Sequence, residues 1–415
     1  MTNLSQPKKQ LFFPFSNQIK TLFSCLSSEG DDLRLVGGSV RDFLANKNLQ
    51  NADFDLACKH KPDTTLSILK KQNIKTFPSG IKYGTITAIV DGKHFQITTL
   101  RTDVKNFGRD CEVKFSTDFL EDAKRRDFTI NALSIDKNGN IYDYFGGQDD
   151  LENRVVRFIG DARTRIKEDY LRILRFFRFS CFYAKEIDKK GLEACIKYKD
   201  NIQDLSSMRI REEFFKLFLC QNREDLFSTI KSMFDCGILR LIFNSVNSKK
   251  INALRNLFSL EKILNCHFEM VIFLAILIEN NETNLDLSNL EKRYLKQITI
   301  PKFKIDFQIS EKYLLKLLLE TRKKELRDLH VIQLVLSDNF ENLIDDFMQI
   351  SKMIDSSQIP NFPINGNDLL DLKIEPNQIG KILKIAKNHW WVNDFSIDKK
   401  TIISFISQKI INKSV

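Results

Sequence analysis

The stretch LVGGSVRDFLANKNLQNADFDL, residues 35–56, decides how the rest of the chain is read. Its apolar opening, Leu35 and Val36, predicts the end of a strand that runs into Gly37 and Gly38. Adjacent glycines let the backbone turn sharply and approach a ligand closely, because no Cβ stands in the way. Residues 39–45 carry the pattern of a short helix, whose free N–H groups and positive dipole end favour a phosphate. Arg41, one turn in, adds a guanidinium able to reach the same oxygens. Downstream, Asp53-Phe54-Asp55 sits in a second strand-like run. Residues two apart on a strand point the same way, so both carboxylates face one side and Phe54 the other. Their Cα atoms then lie roughly 6–7 Å apart, a spacing at which two carboxylates can share a hard divalent cation or a metal pair. Either feature alone is ordinary surface, but their order within about twenty residues gives them weight together. A phosphate cradle beside paired carboxylates predicts metal-assisted phosphoryl or nucleotidyl transfer.

In this arrangement the chain resembles the DNA polymerase β-like nucleotidyltransferases, in the form found in the class II tRNA nucleotidyltransferase (CCA-adding enzyme) and bacterial poly(A) polymerase family. Two further segments carry the resemblance. Residues 95–101, FQITTLR, match a family strand beside the metal site, with Gln96 where the family commonly has a carboxylate. An amide offers an oxygen to a cation but brings no charge. Residues 125–133, RRDFTINAL, also match, and the resemblance implies Arg126 as a nucleotide ligand; Arg125 reads equally well as surface. The polar residues 102–118, with Asp103, Arg109, Asp110 and Asp118, are expected as a loop where the family has a mobile one beside the nucleotide.

A second site is expected in residues 166–179, IKEDYLRILRFFRF. Asp169, Arg172, Arg175 and Arg178 recur every three residues, which on one helix makes a spiralling polar ridge beside the apolar Leu171, Leu174 and Phe177. A carboxylate and a guanidinium suit cytosine and adenine, which present an amino donor beside a ring-nitrogen acceptor. Uracil and guanine present the reverse pattern, and mismatched buried groups cost on the order of 1–3 kcal/mol each. The run is similar to the family's Glu-Asp-x-x-Arg motif, in which the protein is the template for CTP and ATP. The resemblance adds Arg175 and Arg178 as further nucleotide contacts.

The chain has 415 residues, too many for one core, which suggests two to four domains. Strand and helix patterns alternate to about residue 160, and helical patterns dominate afterwards. The fold expected is therefore an α/β polymerase-β-like nucleotidyltransferase head followed by an all-α neck, body and tail. The boundaries expected are 1–160 for the catalytic head, 161–235 for the neck with the base-recognition motif, 236–330 for the body and 331–415 for an RNA-binding tail. Within these, residues 146–151 read as a turn, 244–250 as a polar linker and 268–278 as a buried helix. An excess of 64 basic over 54 acidic residues, with a pI near 9.0, favours a polyanionic partner. The eight cysteines form no C-x-x-C and no zinc spacing, so they read as reduced thiols of a cytoplasmic protein. The nine-residue apolar run 270–278 is too short to span a bilayer, and the basic, Phe-rich start is no convincing signal peptide.

The resemblance implies template-independent addition of C, C and A to the 3′ end of tRNA from CTP and ATP. Asp53 and Asp55 would be the catalytic carboxylates and hold Mg²⁺. Gly38, Arg41 and Arg126 would hold the triphosphate and sugar, and Asp169 and Arg172 would choose the base. No membrane and no obligate protein partner is implied. A poly(A) polymerase, an enzyme adding only CC or only A, and an inactive RNA-binding relative are the alternatives.

Overall fold

The structure of the chain, a computed structural model, describes residues 15–27, 30–49, 53–107, 110–279, 283–299, 305, 307, 309–358 and 360–411. The basic amino-terminal run, Arg109, the break at 280–282, Ile300-Pro301 and Lys413 lie outside these, as do the side chains of residues 103–112. The chain divides into two compact units, residues 1–244 with 283–286 and residues 245–282 with 287–415. The run 244–250 read as a linker falls at this division, but from Ser248 it is already helix.

The first unit begins with α1 (Asn17–Leu26), capped by the Ser16 hydroxyl, and β1 (Leu33–Val36). Next come α2 (Gly38–Leu44), β2 (Asp55–Cys58), α3 (Pro62–Lys71) and β3 (Lys75–Gly80). Strands β4 (Thr85–Val90) and β5 (Lys93–Thr99) are joined by Asp91 and Gly92, both with positive φ, as a two-residue hairpin turn requires. The seven-stranded sheet has the order β3-β4-β5-β2-β1, then β8 (Ser134–Ile135) and β9 (Ile141–Tyr142). Among the described residues of this sheet, β2 and β5 alone pair in parallel.

Period-two alternation sorts the side chains of this sheet. Leu35, Leu56, Phe95 and Ile97 point to one face, where Ile19, Leu22 and Leu26 of α1 and Leu69 of α3 cover them in the main core. Phe54 belongs to that side too and stacks on Phe95, with ring centroids 6.4 Å apart. The opposite face carries Val36, Ala57 and Leu100 in a small cluster under Phe119. Asp55 and Gln96 are exposed, and their pairing with Val36 and Thr87 places them on that second face.

Residues 102–118 and 146–151 depart from their sequence expectations. Residues 102–118 are not a loop throughout, because β6 (Arg101–Phe107) pairs antiparallel with β7 (Asp110–Phe115) in a separate two-stranded ribbon. Backbone pairing needs no apolar face, and that is why polar composition hid it. After α4 (Phe119–Lys124), residues 147–152 form a short helix, α5 (Gly147–Glu152), where a turn was expected. It fits against the backbone so closely that a Cβ at Gly147 would stand 2.3 Å from the Thr129 carbonyl oxygen.

Helices follow: α6 (Ala162–Glu168), α7 (Leu171–Tyr183), α8 (Lys189–Tyr198), α9 (Ser207–Leu217), α10 (Arg223–Asp235) and α11 (Ile238–Ile242). Phe176 and Phe179 of α7 pack around Phe128, which ties this helical part to the sheet-bearing part.

The second unit runs through α12 (Ser248–Leu264), α13 (Met270–Leu277), α14 (Asn289–Thr299), α15 (Glu311–Glu320), α16 (Lys323–Val335) and α17 (Ile344–Ser356). It ends with α18 (Gly366–Asp371), α19 (Pro376–Val392) and α20 (Lys399–Ile411). Leu314, Leu317, Leu326 and Ile350 anchor one of its cores, and Leu369, Trp390, Ile402 and Ile406 another. The fold is thus a mixed-sheet α/β part followed by a largely helical remainder. Among the described residues no helix is long and apolar enough to cross a membrane.

Candidate active site

The Gly37-Gly38 turn joins β1 to α2, and Gly37 adopts φ 74°, a conformation that costs a residue with a Cβ. A Cβ on Gly37 would come within 3.1 Å of an Arg126 Nη1 atom, so the absent side chain leaves room for that guanidinium. Arg126 is held by two bonds: Nη2 to Asp122 at 3.1 Å and Nη1 to the Asn131 carbonyl at 3.2 Å. Asp122, at the foot of α4, also takes Arg125 at 2.7 Å. Burial pushes the Asp122 carboxyl up, but Arg126 and Arg125 together outweigh it and hold it below the usual carboxylate range. Arg125 is therefore a paired wall residue and not free surface.

Asp55 opens β2, and Asp53 precedes the strand instead of lying within it, which corrects the expectation that both are strand residues. The two still sense each other electrostatically. Although Asp55 is open to solvent on one side, the protein around its carboxyl displaces enough water to raise it above its ordinary value; Arg126 opposes this and Asp53 adds to it. Gln96 is the register partner of Asp55 on β5. Among the described residues no group of three or more His, Cys, Asp or Glu is arranged to hold a metal. The groups that could hold one are the carboxylate of Asp55, the amide of its register partner Gln96 and the carboxylate of Asp53 two residues before the strand.

A cavity of about 540 Å³ brings together Gly38, Arg41, Asp55, Arg126, Asp169, Arg172, Arg175 and Arg178; Asp53 does not line it. Arg41 is buried, with Nη1 donating to Asn131 Oδ1 at 2.6 Å, Nε to Asp42 at 3.1 Å, and its plane over the Tyr183 ring at 4.3 Å. From Asn131 the bonding continues. Its Nδ2 donates to Asp127 Oδ1 at 3.0 Å, and Arg175 Nε donates to Asp127 Oδ2 at 2.7 Å. Arg175 Nη1 also lies 3.5 Å from Glu213, whose other oxygen accepts Arg178 Nε at 2.7 Å. Burial pushes the Asp127 carboxyl up, yet Arg175, Asn131 and Arg172 together bring it down to about 2.

Asp169 departs from the sequence reading. It is extended (φ −158°, ψ 110°) and sits in the break between α6 and α7, so only Arg172, Arg175 and Arg178 share a helix. The three-residue spacing was blind to this break because Asp169, which closes α6, still lies beside the start of α7, with Oδ1 accepting the Leu171 N–H at 3.1 Å. Its Oδ2 accepts from Arg209 Nη2 at 2.7 Å. Arg172 pairs instead with Glu168 at 2.5 Å and donates to the carbonyls of Arg165 (2.8 Å) and Arg125 (3.2 Å). Sequence reasoning missed Asp127, Glu213 and Arg209. The available signal was Glu213 between the apolar positions Ile210, Phe214 and Leu217 of an amphipathic helix, since a buried carboxylate needs a cation.

A family model described as "Poly A polymerase head domain" matches residues 33–157, and one described as "Probable RNA and SrmB- binding site of polymerase A" matches residues 186–250. The mitochondrial CCA tRNA nucleotidyltransferase 1 of Mus musculus is 30% identical over 420 residues, covering 95% of this chain and 91% of that protein. The CCA-adding enzyme of Staphylococcus haemolyticus is 32% identical over 387 residues, covering 89% of this chain and 90% of that protein. A crystal structure of the Bacillus stearothermophilus CCA-adding enzyme in complex with CTP shares the fold, with a TM-score of 0.69 at 21% identity, over 97% of this chain and 99% of that one.

Proposed function

Because the chain belongs to the CCA-adding tRNA nucleotidyltransferase family, we propose that it adds C, C and A to the 3′ end of tRNA from CTP and ATP. The observation that carries this reading is the single cavity in which a phosphate-sized cradle and a carboxylate–guanidinium pair meet. Gly38, Arg41 and Arg126 hold the triphosphate and sugar. Their bonds to Asn131, Asp42 and Asp122 orient the guanidiniums before a nucleotide arrives, so little reorganisation is left for the bound state. Asp169 accepts the exocyclic amino group of C or A, and Arg172 donates to the ring nitrogen beside it. Arg175 and Arg178 extend the positive wall behind the base.

Asp53 and Asp55 would hold a divalent cation, Mg²⁺ in this reading, with Gln96 presenting its amide beside them. The donor set fits a hard cation: it is all oxygen, and a nearby dication would relieve the repulsion that Asp53 imposes on Asp55. When bound, such an ion polarises the primer hydroxyl and neutralises charge on the departing pyrophosphate. The chain's own residues align the α-phosphate with that hydroxyl and shield the reacting centre with a wall of arginines. The division into head (1–160), neck (161–235), body (236–330) and tail (331–415) stays part of this proposal, with the tail meeting RNA. So does a cytoplasmic setting, in which the free described cysteines remain reduced.

The test uses purified full-length protein, Mg²⁺, each nucleoside triphosphate separately, and two primers. A tRNA lacking its terminal triplet should take C, and a tRNA ending in CC should take one A and no more. UTP and GTP should be poor substrates. Long A tails on a simple oligonucleotide would replace this reading with a poly(A) polymerase, and no addition at all with a binding-only relative.

A further inference from the structure

Helix α9 carries Arg209 and Glu213 four residues apart, so both side chains project from one face. Glu213 is 4% exposed and takes Arg178 at 2.7 Å and Arg175 at 3.5 Å. Arg209 is 15% exposed and reaches Asp169 Oδ2 at 2.7 Å. The Asp169 carboxylate therefore has one anchor on each oxygen, the Leu171 N–H on Oδ1 and Arg209 on Oδ2. Turning that carboxylate would break both bonds at once. Since each oxygen offers two acceptor directions, each keeps one free for a base.

We propose that Arg209 is a specificity-determining positioning residue, which fixes the Asp169 carboxylate in the one orientation that accepts the amino group of C or A. The inference rests on Asp169 and Arg172 being the base-reading pair. Arg172 is not the clamp, because three of its five N–H groups go to Glu168 and to the carbonyls of Arg165 and Arg125, and the Nε–H and second Nη2–H that those bonds leave over are the ones that can meet a base. Without Arg209, only the Leu171 N–H would hold Asp169. The carboxylate could then turn and take up a water, and a water can present a donor to the carbonyl of U or G as readily as an acceptor to an amino group. Discrimination would fall while the phosphate cradle, which Arg209 does not touch, stayed intact.

The experiment measures kcat and KM on full-length enzyme for ATP against GTP on a tRNA ending in CC, and for CTP against UTP on a tRNA lacking its terminal triplet. Arg209→Gln, which keeps a donor but loses the charge, should lower both selectivity ratios by about tenfold or more. The loss should appear as raised KM for ATP and CTP. Inhibition by inorganic tripolyphosphate, which reads the cradle alone, should be unchanged. Arg209→Lys restores the charge and should stay within about threefold of the unmodified enzyme. It also keeps the question open to experiment should the glutamine variant not fold. Unaltered ratios in Arg209→Gln would overturn the inference. So would an equal loss on all four nucleotides with weaker tripolyphosphate inhibition, the mark of a purely structural role, and so would a lysine variant as indiscriminate as the glutamine one. Failure of the underlying reading is separately visible, because an unmodified enzyme that does not prefer C and A has no base-reading pair to position.

Discussion

Asp55 on β2 and Gln96 on β5 are direct partners on adjacent parallel strands, so the amide stands beside the carboxylate on the open face of the sheet. A carboxylate in place of that amide would add a charged oxygen donor to the same set. Gln96→Glu should therefore lower the Mg²⁺ concentration giving half-maximal activity. A titration of nucleotide addition against Mg²⁺ checks this, and an unchanged midpoint would show that position 96 does not face the ion.

Asp55 lies on that face and Asp53 two residues before it, and neither belongs to the bonding that runs from Arg41 to Arg178. Asp53→Ala and Asp55→Ala should each abolish nucleotide addition while leaving tRNA affinity near that of the unmodified protein. Filter binding beside single-turnover addition separates the two effects. Substantial turnover in both variants would place the catalytic ion elsewhere.

Asp127 is buried and joins Asn131 of the cavity wall to Arg175 of α7. Removing one partner of a buried ion pair costs about 3–5 kcal/mol, so Asp127→Asn should lower the urea midpoint markedly. Its carboxyl is held at about 2 in the folded state, below its unfolded value, so the stability it supplies is present above pH 3.8 and is lost as pH falls toward about 2. The variant should show a flatter acid limb over that window in denaturant titrations at stepped pH.

Much of this architecture was legible before any coordinates. The Gly37-Gly38 turn and the short helix after it are local signals, written in residues near one another, and they lie where the pattern put them. The β6–β7 ribbon was not, because strands without an alternating apolar face leave no periodic trace. The break at Asp169 was hidden for another reason: an aspartate between two helices and an aspartate within one can occupy the same three-residue spacing. Glu213 and Arg209 lie about forty residues beyond the residues they hold, and no spacing rule reaches that far.

His330 is wholly buried between Phe347, with ring centroids 4.5 Å apart, and Phe307, at 5.3 Å. Burial lowers its pKa from 6.5 to about 4, only weakly opposed by the Phe347 carbonyl. Between those values the unfolded chain takes up a proton that the folded chain refuses, so stability falls with pH by at most about 1.4 kcal/mol per pH unit. His330→Leu should lose less melting temperature than the unmodified protein between pH 7 and pH 5. Equal losses would mean that the ring is charged in the folded state.

The bonding from Arg41 through Asn131, Asp127, Arg175 and Glu213 to Arg178 has a consequence for how such a protein changes over generations. Each member satisfies a buried neighbour, so a lone exchange strands a charge, and a half-satisfied network is worse than none. Drift at one position is therefore purged unless a second position changes with it. The phosphate end and the base end of the pocket are inherited as a block, and a lineage that altered its nucleotide preference would have to do so at the few residues, such as Arg209, that hang from the edge of that block.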